Sequence, residues 1–235
     1  MRQWIFGLRV RLAYASLIIV AWPACVSAAE TSAPAAQSLP SDVYEDSRSR
    51  LPPVRREILD EQGRKQYDAL VGRTGSRSIA GLSGPGGLNL YSPKAAVHLS
   101  GLSNYLRYES ALSGRVRETA ILTTAREMDN QFEWFAHEAV ALREGVPPAV
   151  IDVIKHRRPV VDLPPMDAAI IELGRQALGD KKVTPEVFAR AFAIFGDRGM
   201  VELVLLIGSY ASIATLLTTF DVQLPQGQAP LMPTR

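Results

Sequence analysis

The chain has 235 residues, 47% hydrophobic and 21% charged, with a formal net charge of +2. Its single cysteine, Cys25, excludes an internal disulfide framework, a thiolate metal cluster and a dithiol redox pair. So even a charge balance gives no electrostatic case for nucleic acid.

Arg2, Arg9 and Arg11 form a positive start, followed by an apolar run, Leu12–Trp22, too short for a stable membrane-spanning helix. Val26-Ser27-Ala28 has the small residues of a cleavage site, so 1–28 reads as a secretory signal peptide. The alternative is a retained membrane anchor. A lipoprotein reading through Cys25 lacks the Leu-rich box upstream. Cleavage after Ala28 leaves 207 residues, enough for one domain. It removes three of the 26 basic residues, leaving 23 against 24 acids and no thiol. The expected location is periplasmic or secreted, free of the membrane once cleaved.

Residues 29–55 read as a flexible arm, with Ala29–Arg50 rich in Ala, Ser and Pro and without periodicity. A helical domain is expected over 56–222. Arg56–Leu70 is its first helix. Gly72–Gly87 carries six glycines but neither the GxGxxG nor the GxxxxGK[ST] order, so it reads as a surface loop over a pocket. Ser92 and Pro93 open a helix over Lys94–Ser110, as cap and first-turn proline. Ser113-Gly114 breaks the pattern, and Arg115–Met128 resumes it. Asp129-Asn130 is a turn or cap before Gln131–Glu144, which Gly145 closes. Pro147–His156 is short. Met166–Leu178 stops at Gly179, and Pro185–Phe195 leads to a loop at Gly196–Gly199. Met200–Phe220 is apolar nearly all round, which predicts a central helix or one at a subunit interface. A Pro/Gln tail covers 223–235. No strand is evident, and the fold class expected is all-α.

Arg115–Gly145 concentrates the chemistry. Glu133 and His137, at i and i+4, share one helix face. Glu118 lies on the preceding helix among Ala120, Ile121 and Leu122, an odd place for a charge without a partner. An ion pair with Arg115, Arg117 or Arg126 would explain it without function. Phe132 and Trp134 offer apolar walls that would raise a carboxylate's proton affinity. Glu202, within VELVLL, raises the same question as Glu118. His98 reads as a structural histidine on an apolar face, and His156 as a favourable charge at a helix C-terminus. Two carboxylates and one histidine are able to bind a metal, but the HExxH and ExxH spacings are absent, and none is expected.

The segment RVRETAILTTAREMDNQFEWFAHEAVALREGVPPAVIDVI resembles the core motif of the carboxymuconolactone decarboxylase family, within the alkylhydroperoxidase D-like superfamily. The matching residues are Arg115, Arg117, Glu118, Glu133, Trp134, His137, Ala141, Gly145, Val146 and Ile151. Gly208-Ser209-Tyr210 looks like the closing helix of that family. The resemblance implies an alkylhydroperoxidase D-like all-α fold, assembly as a homotrimer or homohexamer, and a pocket lined by the motif helices. The thiol peroxidase branch carries C-x-x-C before its histidine. Aligned on His137, those positions are Asn130 and Glu133, so the chain looks like the cysteine-free decarboxylase branch, which needs no metal or organic cofactor.

The expected function is an exported, cofactor-free decarboxylase-like enzyme acting on a small carboxylated or lactone-like compound. His137 would be general acid/base, Glu133 would orient and tune it, and Glu118 would share or relay the proton. Arg115 or Arg117 would hold the substrate carboxylate, with Trp134 and Tyr210 also binding substrate. The rivals are a non-thiol peroxidase-like activity and a non-catalytic binding or assembly protein on the same fold.

Overall fold

The computed structural model describes residues 38–72 and 82–233. The expected signal peptide and most of the glycine-rich stretch lie outside them. Eight α-helices follow one another in the described residues, with no strand beyond an isolated bridge between Tyr44 and Ser49.

A 3₁₀ turn at Arg56–Ile58 precedes α1, Glu61–Val71. The expected helix from Arg56 is therefore two pieces. Asp60 divides them, because its side chain accepts from the Gly63 N–H at 2.7 Å and so starts the helix as its N-cap. Helix α2, Pro85–Asn89, opens inside the expected loop, at Gly84. Gly84 has φ of 86° and lies so close to Phe132 that a Cβ would stand 2.6 Å from the ring, which explains the glycine. Helix α3, Pro93–Asn104, begins at Pro93 as expected, but the Ser92 side chain makes no capping bond. It runs into a π-helical turn, Tyr105–Glu109.

Helix α4, Gly114–Glu127, is the central element. Every residue from 118 to 126 is buried, and α5, α6, α7 and α8 all pack against it. Its polar residues suit that position because Thr119, Thr123 and Thr124 return their hydroxyls to the carbonyls of Arg115, Thr119 and Ala120. Helix α5, Gln131–Arg143, follows after three residues, so the pair forms an αα-hairpin. Gly145, with φ of 86°, ends α5, and the Val146 N–H bonds to Ala141 O, as the sequence predicts. Helix α6 is Pro148–Lys155. Helix α7, Pro165–Gly174, continues as a π-helical turn, Arg175–Asp180, that stops at the left-handed Lys181 rather than at Gly179. A Cβ on Gly174 would meet Thr123 Cγ2 at 2.6 Å, so the glycine allows α7 to lie close on α4.

Helix α8, Pro185–Thr219, replaces the two helices and loop expected there. Gly196, at φ 63° and ψ −174°, is a kink, not a loop. The expectation of a central position for Met200–Phe220 holds for one face only. Met200, Leu203, Leu206, Ile207, Tyr210, Ala214 and Leu217 are buried, whereas Val201, Val204, Leu205 and Gly208 are exposed.

One core cluster joins α4, α7 and α8 through Val116, Ile121, Ile170, Leu203 and Tyr210. A second joins α4, α5 and α6 through Leu122, Trp134, Val150 and Ile154, closed by Met232 from the tail. The part of the expected arm that is described, 38–55, is tied down: Arg50 N–H donates to Phe220 O and the Arg48 guanidinium to Leu224 O. Two arginines of the arm thus bind it to the end of α8 and the start of the tail.

Candidate functional site

The hairpin connection sets the site. Asp129 takes a left-handed conformation, and the Asn130 side chain accepts from the Glu133 N–H at 2.9 Å, capping α5. The Asn130 amide also donates to Ala214 O and Thr218 Oγ1, fastening the turn to α8. Glu118 on α4 and His137 on α5 are thereby brought face to face.

His137 Nδ1 lies 2.8 Å from Glu118 Oε2, with both side chains buried. An Nδ1–H donated to that carboxylate leaves Nε2 directed elsewhere. Nε2 lies 3.7 Å from Glu133 Oε2, beyond hydrogen-bond length. The Tyr210 ring meets the imidazole edge-on at 5.2 Å between centroids. Four of the expected site residues, Glu118, Glu133, His137 and Tyr210, therefore come together. Of the two carboxylates, Glu118 makes the closer contact with the imidazole. Glu118 is within hydrogen-bond length of Nδ1, and Glu133 faces Nε2 at 3.7 Å.

Electrostatics separates them further. Burial pushes the Glu133 carboxyl above its ordinary value; His137 and Arg107 oppose that shift, and Glu118 adds to it. Burial likewise raises the Tyr210 hydroxyl, with Arg107 opposing. Arg107, on the π-helical turn, was missed by sequence reasoning. Burial works against its charge, but Tyr210, Tyr108, Glu118 and Glu133 together raise its proton affinity.

Three expected substrate-binding residues lie elsewhere. Arg115 forms a bidentate ion pair with Asp167, whose side chain is wholly buried, and so links α4 to α7. The Arg117 guanidinium donates to Leu112 O at 2.5 Å. Trp134, fully buried one residue from Glu133, points into the second core cluster, with Lys155 Nζ 5.6 Å from its ring centroid. A side chain at i+1 is turned about 100° from its neighbour, which is why Trp134 and Glu133 cannot share a face. Arg126 pairs with Asp129 and donates to Lys155 O. Glu118 thus has the imidazole as its partner, not one of the three arginines.

Glu202 belongs to a separate cluster. Its carboxylate accepts from Tyr105 Oη at 2.5 Å, Arg198 Nε at 2.8 Å and the Ala111 N–H at 3.3 Å. Those bonds hold it below its ordinary value. His98 is exposed instead of packed on an apolar face. His156 sits at the end of α6 beside Asp152, as its sequence position suggests.

No protein-family model matches the chain, and no curated protein matches its sequence. Solved structures do. An uncharacterised peroxidase-related protein from Ralstonia eutropha, described as an alkylhydroperoxidase AhpD core, superposes with a TM-score of 0.61 at 16% identity, covering 78% of this chain and 98% of its own. A protein of unknown function from Agrobacterium tumefaciens, described as a candidate antioxidant defence protein AhpD, superposes with a TM-score of 0.54 at 18% identity, covering 59% and 95%. The chain has the AhpD-like all-α fold. At such identity the likeness speaks to architecture, and function rests on the side chains described above.

Proposed function

We propose that the chain is a proton-transfer enzyme of the carboxymuconolactone decarboxylase type, acting on a small carboxylated or lactone-like compound. The carrying observation is His137 held at Nδ1 by Glu118 at 2.8 Å, with Glu133 3.7 Å from Nε2. An imidazole fixed on one nitrogen and open on the other is built to move a proton at the open one. In a decarboxylation the bond to the departing carboxylate breaks. Its electron pair passes into the adjacent unsaturated carbonyl system as an enolate, and His137 Nε2 delivers the proton that quenches the carbon. Glu133, with its raised proton affinity, returns a proton to the imidazole after each turnover.

Dithiol peroxide reduction is outside the reach of a chain with one cysteine. Asn130 and Glu133 stand where that chemistry would need sulfur, one as a helix cap and the other facing the imidazole. The reading also takes in export through the N-terminal signal and assembly of homotrimers or homohexamers. The exposed Val201, Val204 and Leu205 on α8 support a subunit contact.

The test is a panel of carboxylated γ-lactones followed for carbon dioxide release and for deuterium uptake at carbon in D₂O. The expected result is turnover by the wild-type protein and a loss of about 10²- to 10⁴-fold in His137→Ala with its oligomer intact. Equal turnover in His137→Ala would sink the assignment.

A further inference from the structure

Arg107 stands on the π-helical turn Tyr105–Glu109, and the turn is pinned from both sides. Glu202 accepts from Tyr105 Oη with one carboxylate oxygen and from the Ala111 N–H with the other. Arg198 donates to the same tyrosine oxygen at 3.0 Å. Leu106, between these anchors, is fully buried in the first core cluster. Glu202 and Tyr210 both lie on the buried side of α8, eight residues and so about 12 Å apart along the axis. The clamp therefore fixes the turn alongside the helix face that carries Tyr210.

The Arg107 side chain is half-buried on that turn, its guanidinium carbon is 5.5 Å from the centroid of the Tyr108 ring, and Tyr210, Glu118 and Glu133 are near enough to favour its charge. Among the described residues no carboxylate comes within 4.0 Å of it. The two arginines of the motif differ, since Arg115 is occupied by Asp167 and Arg117 by a backbone carbonyl. A half-buried, permanently charged fork without an acid partner is suited to receive an anion bidentately. The Tyr108 ring at 5.5 Å offers the guanidinium a cation–π contact.

We propose that Arg107 is the substrate-anchoring residue of this site, holding the carboxylate of a small anionic substrate beside His137. The proposal rests on the proton-transfer reading for the identity of the site, but it concerns binding and is measured without turnover.

The experiment titrates the full protein with 5-oxotetrahydrofuran-3-carboxylate and, separately, with its methyl ester, by isothermal calorimetry. The wild-type protein is expected to bind the acid at least roughly tenfold tighter than the ester, the discrimination one charge-assisted pair supplies. Arg107→Gln is expected to weaken the acid by about 10- to 100-fold and leave the ester unchanged. Arg107→Lys keeps the charge without the fork, serves if the glutamine variant folds poorly, and is expected to weaken the acid by a smaller factor. The proposal is overturned if wild-type protein binds the acid no better than the ester, if it binds neither, or if both variants bind the acid as wild type does. A protein that discriminates through Arg107 yet turns over no lactone upholds the anchor and rejects the proton-transfer reading.

Discussion

Glu133 and Glu202 are each 4% exposed, but Glu133 is deeply enclosed whereas Glu202 is covered by the largely exposed Arg198 side chain, and their proton affinities move in opposite directions. Glu202 accepts hydrogen bonds from a tyrosine, an arginine and a backbone amide, and those donors stabilise its charge. Among the described residues Glu133 has no such donors. Burial raises it, and the imidazole at 3.7 Å offsets the cost only in part. Depth and partners together decide whether a covered acid is a structural tie or a group poised to exchange a proton. One cluster clamps the α3 turn to α8. The other leaves a carboxyl and an imidazole nitrogen facing across a gap.

The largest effect that would sharpen this contrast is expected from Glu133→Gln. Turnover of the cognate lactone should fall by about 10²-fold or more, since the amide exchanges no proton. Stability should move the other way. The folded-state affinity of Glu133 is raised from 4.5, so its contribution is full below that value and is lost as pH climbs through the folded-state value. The neutral amide avoids that loss. Calorimetric melts should show the variant a few degrees more stable near neutral pH and matched to wild type in acid. A variant less stable at neutral pH would assign Glu133 a structural role.

Glu202→Gln should give the mirror image. A depressed folded-state value stabilises above 4.5, and that stability is lost as pH falls through the depressed value. The variant should melt a few degrees lower at neutral pH, and its acid-side decline should be flatter than that of wild type. Retained acid sensitivity would place the dependence elsewhere. Asn130→Ala carries the smallest expected effect, about 1 kcal/mol or roughly 2–4 °C, from the lost cap on α5. Amide hydrogen exchange at Glu133 should quicken if the cap holds that turn, and an unchanged rate would remove Asn130 from the site's support.

Much of this was legible in the chain. Helical periodicity, Asn130 as a cap and Gly145 as a stop are local signals, and they locate α4 and α5 within a residue or two. The i, i+4 spacing gave Glu133 and His137 a common face, and an acid among Ala120, Ile121 and Leu122 marked Glu118 as needing a partner. What stayed hidden depends on contacts distant in sequence. Arg115 finds Asp167 fifty-two residues away, and Glu202 finds Tyr105 ninety-seven away. Arg107 was passed over because a single regular helix over Lys94–Ser110 gives no hint of the π-helical turn that aims it. Trp134 was misdirected because its likeness to a motif residue says nothing of which way a fully buried indole faces.

The most direct test is a ¹³C NMR titration of the Glu133 and Glu202 side-chain carboxyls in wild-type protein and in Glu118→Gln. Glu133 is expected to titrate above 4.5 and Glu202 below it. Removing the Glu118 charge should bring Glu133 down and leave Glu202 where it was. Glu133 titrating at or below 4.5 in wild type, or indifferent to Glu118, would contradict a coupled proton-handling site on α4 and α5.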